Sequence, residues 1–181
     1  MGNNIRKYQG ISPTIGKNVY VDETAVIIGD VEIGDDSSVW CTTVIRGDVN
    51  SIRIGSRTNI QDASVLHVTH KSEANPAGYP LTIGNNVTIG HRVTLHGCTL
   101  DDYCFIGMNA VIMDDAHVAS DVIVGAGALV TQGAKLESGY LYIGAPAKKA
   151  RKLTEAELAM VHKSSQNYVN YAKTYLNDPE A

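Results

Sequence analysis

Hydrophobic positions along the chain recur with a period of six. An aliphatic residue returns at Ile15, Val21, Ile27, Ile33, Val39 and Ile45. Four residues after each stands a small or β-branched one: Val19, Ala25, Val31, Ser37, Thr43 and Val49. After a slip of three residues the period resumes at Ile54, Ile60 and Leu66, then breaks across His70–Pro80. It returns at Ile83, Ile89 and Leu95, slips by one, and holds from Leu100 through Ile106, Ile112, Val118, Val124 and Val130 to Leu136. A period of six is neither the 3.6 of a helix nor the 2 of a half-buried strand. It predicts a solenoid of short flat faces, each sending its aliphatic residue and the next small residue inward. Glycine often follows the aliphatic position, as at Gly34, Gly84 and Gly107. There, glycine or a polar residue meets the corner's need for positive φ or close backbone approach. Three faces make a triangular coil, and stacked coils pair as parallel strands about 4.8 Å apart. A β-sandwich would instead show alternation with turn clusters every 8–12 residues or so.

The period ends near Gly139, and the chain leaves the solenoid through Gly144 and Pro146. Thr154 and Glu157 have the spacing of a capping box. Beyond them Leu158, Val161, Tyr168, Val169, Ala172, Tyr175 and Leu176 recur at helical spacing. The expected organisation is an all-β solenoid over residues 1–148 with an inserted loop at 70–80. Residues 149–181 then form a C-terminal α-helix packed on the solenoid or on a neighbouring subunit.

Composition narrows the picture. One Phe and one Trp among 181 residues leave the core to Val, Ile, Leu and Ala in narrow layers. Net charge is −4 with no basic block, which argues against nucleic acid or an anionic membrane as partner. MGNNIRKYQG has no apolar signal region, MGNNIR lacks the Ser/Thr of a myristoylation signal, and no apolar run is long enough to span a bilayer. A soluble, cytoplasmic protein is expected. Cys41, Cys98 and Cys104 are odd in number with no C-x-x-C, and read as reduced core thiols.

The same register turns histidines into a site. Counting faces A, B and C from Ile15, the residues Ile45, Leu66 and Leu95 all fall on face C. Arg46, His67 and His96 follow them and form one outward column, about 4.8 Å per coil. His67 and His96 are 29 residues apart, one coil plus the inserted loop. That suits two ligands of one metal. His91 belongs to face B, near Gln61, and points from a different corner of the prism. If all three bind one metal, His91 comes from another subunit. A face-C column meeting a neighbour's face-B column closes as a ring, with a homotrimer the natural outcome. Three imidazoles and one open position describe a catalytic rather than a structural zinc site.

VIRGDV (44–49), RTNIQDASVLHVTH (57–70), TIGHRVTLHGC (88–98) and GAPAKKAR (144–151) resemble the γ-class carbonic anhydrase-like family over nearly the whole chain. The resemblance implies a left-handed parallel β-helix of hexapeptide repeats that forms homotrimers. It implies His67 and His96 from one subunit and His91 from the next around Zn2+, with Fe2+ or Co2+ as alternatives. It gives Arg46 the task of holding bicarbonate beside Asp48, the alternative being a purely structural interface salt bridge. Gln61 would orient the metal's water, and Tyr168 would approach the metal from the helix. Asp62 belongs equally to trimer contacts or loop bracing. The activity implied is a lyase reaction, hydration of CO2 to bicarbonate by a zinc-bound hydroxide. The founding members' acidic shuttle loop is missing, since position 49 is Val and the inserted loop holds only Glu73. His70 either takes over that proton transfer or merely begins the loop. The competing functions are a metal-dependent thioesterase or related hydrolase, and a non-catalytic trimeric scaffold with a vestigial metal site.

Overall fold

A computed structural model describes residues 4–178, so readings that rest on Met1–Asn3 or Pro179–Ala181 lie outside the described residues. The chain forms a parallel β-solenoid of about 8 turns followed by one α-helix, Glu155–Leu176. The faces stack in the register of the hexads. On face A Ile15 pairs with Ile33, Ile33 with Ile54, and Ile54 with Ile83. On face B Val39 pairs with Ile60 and Ile60 with Ile89. On face C Ile45 pairs with Leu66 and Leu66 with Leu95. Faces A and C belong to one 12-stranded sheet, because the strands Val26–Ile33 and Val44–Ile54 pass round the shared corner unbroken. Face B is a separate 8-stranded sheet.

The aliphatic column is sealed: Ile27, Ile45, Leu66, Leu95 and Ile112 have no exposed surface. The second inward position is also buried at Ala25, Val31, Thr43, Val93, Ala110 and Ala128. Val49 departs from the expectation and is exposed. The slip of three is an outward bulge after Gly47, so Val31 pairs not with Val49 but with Ile52, which takes the buried place. At the corners the two needs fall on different residues. Glycine serves close approach: a Cβ on Gly34 would lie 2.6 Å from the backbone nitrogen of Ser56. The left-handed φ falls two residues later, on Asp36, Arg57, Asn86, Asn109 and their equivalents.

The outward columns differ sharply in chemistry. Face A presents Thr14, Glu32, Arg53, Thr82, Thr99, His117 and Lys135. Face B lies under the helix, which buries Val161, Ser165, Val169 and Ala172 and contacts the strands at Tyr20–Val21, Ser38–Val39, Asn59–Ile60 and Thr88–Ile89. Thr154 and Glu157 form the capping box that starts this helix. Face C presents Val26, Val44, Val65, Thr94, Val111 and Leu129, and among the described residues the helix packs on face B and not on this column. The inserted loop is closed at its base by an antiparallel bridge between Thr69 and Tyr79. The last strand, Lys148–Lys152, turns back antiparallel against Tyr140–Ile143. Among the described residues no helix is long and apolar enough to cross a membrane. Cys98 and Cys104 are buried, but Cys41 is exposed, which corrects its assignment to the core. Cys41 Sγ bonds the Asp22 carboxylate at 3.2 Å, and that contact, with partial burial, pushes its pKa up to about 11.

Candidate metal centre

The structure sorts the seven candidate residues into two groups. Arg46, Asp48, His67 and His96 meet at the corner between faces C and A. Gln61, His91 and Tyr168 line one cleft of about 410 Å3 between face B and the helix.

In the first group, His67 and His96 are directly paired across adjacent coils. His67 Nδ1 faces His96 Nε2 at 3.1 Å. Behind each ring stands a carboxylate. Asp48 Oδ1 accepts from His67 Nε2 at 3.0 Å, and Asp114 Oδ1 accepts from His96 Nδ1 at 2.7 Å. These contacts hold the protons on the far nitrogens, so the facing nitrogens are both lone-pair acceptors. Two acceptors that close are reconciled by a proton shared between the rings or by a cation bound to both. The spacing fits one: two nitrogens about 2.0–2.1 Å from zinc at the tetrahedral angle lie roughly 3.3 Å apart. Burial, reinforced by the charges of Arg46 and His96, outweighs Asp48 and holds the His67 pKa below the usual imidazole value. Burial would raise Asp48, but hydrogen bonds from Arg46 and His67 outweigh it and keep the carboxyl below the usual range. The bulge after Gly47 is what carries Asp48 out to bridge Arg46 and His67.

Asp114 and Thr69 escaped the sequence reading. Thr69 Oγ1 donates to Asp114 Oδ2 at 2.8 Å, tying the base of the inserted loop to the His96 carboxylate. The one-residue slip after Leu95 makes room for this. Gly97 sits there with φ +54, and a Cβ on it would lie 2.2 Å from Asp114 Oδ1. The missed signal was arithmetic: Asp114 follows His96 by 18 residues, one more than the 17 that separate the paired Leu95 and Ile112.

In the second group, His91 Nδ1 donates to Asp62 Oδ2 at 2.7 Å, which leaves Nε2 as its free donor to a metal. Gln61 is buried, and its Nε2 donates to Asn59 Oδ1 at 3.1 Å. Asn59 in turn reaches Thr88 at 3.0 Å, and Thr88 reaches Ser164 of the helix at 2.9 Å. Gln61 Oε1 has no hydrogen-bond partner among the described residues. Tyr168 packs edge-on to Trp40 at 5.8 Å, and burial, helped by Asp62, raises its hydroxyl pKa. Among the described residues, no group of three or more His, Cys, Asp or Glu side chains gathers within one chain to hold a metal.

The other titratable candidates stand apart. His70 and Glu73 are exposed on the inserted loop. His117 pairs with Asp101 on face A at 2.9 Å, and His162 with Asp121 at 2.7 Å.

A solenoid of hexads with paired, carboxylate-backed histidines defines a class, and comparison with known proteins places the chain within it. Residues 12–47, 80–113 and 97–132 match the family described as Bacterial transferase hexapeptide (six repeats). The chain is 50% identical to Protein YrdA of Escherichia coli over 98% of its length and 96% of that protein's. It is 44% identical to a probable carbonic anhydrase of Methanocaldococcus jannaschii, over 88% of this chain and 96% of the other. A solved hexapeptide transferase family protein from Anaplasma phagocytophilum superposes with a TM-score of 0.90 at 39% identity, covering 97% of this chain and 99% of that one. The chain belongs to the γ-class carbonic anhydrase-like family of hexapeptide-repeat proteins.

Proposed function

We propose that the protein is a metal-dependent carbonic anhydrase-like lyase, hydrating CO2 to bicarbonate at a site completed between neighbouring copies in a homotrimer. The observation that carries this reading is the pair of facing imidazole nitrogens, 3.1 Å apart, each with a carboxylate on its far side. His67 Nδ1 and His96 Nε2 would hold the ion together with Nε2 of His91 of the partner subunit. A bound zinc ion, or Fe2+ or Co2+ in its place, supplies a Lewis acid that brings the pKa of a coordinated water to about 7.

The chain's own residues do the remaining work. Asp48, Asp114 and Asp62 lock the tautomers and ring orientations of the three histidines. Arg46 has one nitrogen on Asp48, and the rest of its guanidinium fork is free to bind the planar product anion. Gln61 Oε1 would accept a hydrogen bond from the attacking water and so aim its oxygen; its Asn59 anchor prevents the amide from turning. Tyr168 stays protonated and walls the cleft. The uncovered apolar column of face C supports a second copy as its cover, since exposed ladders of Val and Leu are costly in water. Three copies then complete three sites.

Stopped-flow CO2 hydration by the zinc, cobalt and anaerobically prepared iron forms, with metal counted per subunit, tests this. About one metal per subunit and hydration above buffer, lost in His96→Ala, are expected. No hydration in any loaded form would overturn it, and acyl-CoA hydrolysis abolished by His96→Ala would put a hydrolase in its place. An intact trimer with well under one metal per subunit would leave a scaffold.

A further inference from the structure

Two exposed methionines stand one coil beyond the proposed ligands. Leu95 pairs with Ile112, so Met113 follows His96 in the corner column that begins at Arg46. Ile89 pairs with Ile106, and Asn109 N donates to His91 O at 3.0 Å, so Met108 lies one coil above His91. Met113 is 40% exposed and Met108 51%, and the mouth of the cleft beside His91 is lined by Phe105, Met108, Ile123 and Ala126. Neither methionine belongs to the core.

From this register we infer that Met113 of each subunit inserts into the apolar cleft of the next, against Met108 of the partner subunit. The contact forms a dry roof on one side of the metal site. The inference rests on the trimeric, His91-bridged reading above. If His91 of the partner subunit stands level with His67 and His96, the next coil brings Met113 opposite that partner's cleft, because both columns climb about 4.8 Å per coil. The occupant is a second copy rather than a small ligand for two reasons. Met108 stands one coil above His91 as Met113 stands one coil above His96, so a contact that joins those histidines reaches the methionines too, and the Met113 side chain is long, unbranched and apolar, suited to an irregular gap. Water and substrate then reach the metal from the opposite side, past Arg46 and the base of the inserted loop.

The test uses the full chain carrying Cys41→Ser, whose remaining Cys98 and Cys104 are buried. Met113→Cys and Met108→Cys are introduced together, and a short bis-maleimide is added. Covalent trimers on a denaturing gel are expected for the double variant, with no cross-linking in either single variant. Separately, Met113→Glu is expected to weaken the trimer at least tenfold by sedimentation, with unchanged circular dichroism, while Met113→Leu stays trimeric. A double variant that is trimeric in sedimentation yet never cross-links overturns the methionine contact and leaves the trimeric site standing. A parent protein that sediments as a monomer overturns the trimeric reading itself.

Discussion

Asp114→Ala isolates the contribution of the carboxylate behind His96. The wild-type carboxylate accepts from His96 Nδ1 at 2.7 Å and from Thr69 Oγ1 at 2.8 Å, and its side chain is 21% exposed. Removing it leaves the His96 ring free to rotate and to take the other tautomer, so Nε2 is no longer held as a lone-pair donor. Loss of such an outer partner lowers metal affinity by roughly 10–100-fold. That range corresponds to about 1.4–2.7 kcal/mol. The fold should tolerate the change, because both stranded partners are only part-buried and water can satisfy them. Competition with a chelator of known zinc affinity measures the effect. Asp101→Ala, which strips the same kind of partner from His117 on face A, serves as control and should leave zinc affinity unchanged. Asp114→Asn should fall between wild type and Ala, since the amide oxygen can still accept but carries no charge. Unchanged zinc affinity in Asp114→Ala would refute the reasoning, as would an equal loss in Asp101→Ala.

Leu95→Ala removes a side chain with no exposed surface between Leu66 and Ile112, and should cost about 2–5 kcal/mol in denaturant unfolding of the metal-free protein. Glu157 is held down at about 2, first by Arg151 and then by the backbone of Thr154. A depressed carboxyl pKa gives stability that is complete above the unfolded value, about 4.5, and fades as pH falls through the folded one. The stability difference between wild type and Glu157→Gln should therefore be constant above that upper value and shrink to nothing towards pH 2. Thermal midpoints measured across that window check the sign, and a difference that grows on acidification would contradict it.

The stacking of the solenoid was legible because hexads leave little freedom. Once Ile45, Leu66 and Leu95 share a face, His67 and His96 must be neighbours, and the strand pairing places them so. The slips were harder. A three-residue surplus is visible in the sequence, but whether it bulges outward or refills the core depends on side-chain volume. Val49 was assigned inward, and the larger Ile52 took that place. The supporting carboxylates were missed for a different reason. Asp114 lies in MDDAH, where nothing local distinguishes it from a corner aspartate. Only its place one residue past the position in register with His96 marks it, and the glycine that lets it approach belongs to the neighbouring coil. His91 and Asp62 are in direct register, one coil apart with the inserted loop between them. Tyr168 shares the His91 cleft through a helix whose docking face no repeat arithmetic could supply. Cys41 was misplaced because the period assigns inward positions only, and its position at a corner turned it to solvent.

The reversed final strand has a consequence for the molecule's length. A stack of parallel coils ends in a row of unpaired backbone groups that would accept another coil from any passing chain. On face B the last strand of the stack is met by Lys148–Lys152 running the opposite way, and that strand carries Lys148, Lys149, Arg151 and Lys152 in the open. An incoming parallel coil finds the wrong polarity, and a second copy of the same end finds like charge. On that face the repetition that builds the solenoid gives way to a strand that cannot be extended in the same sense.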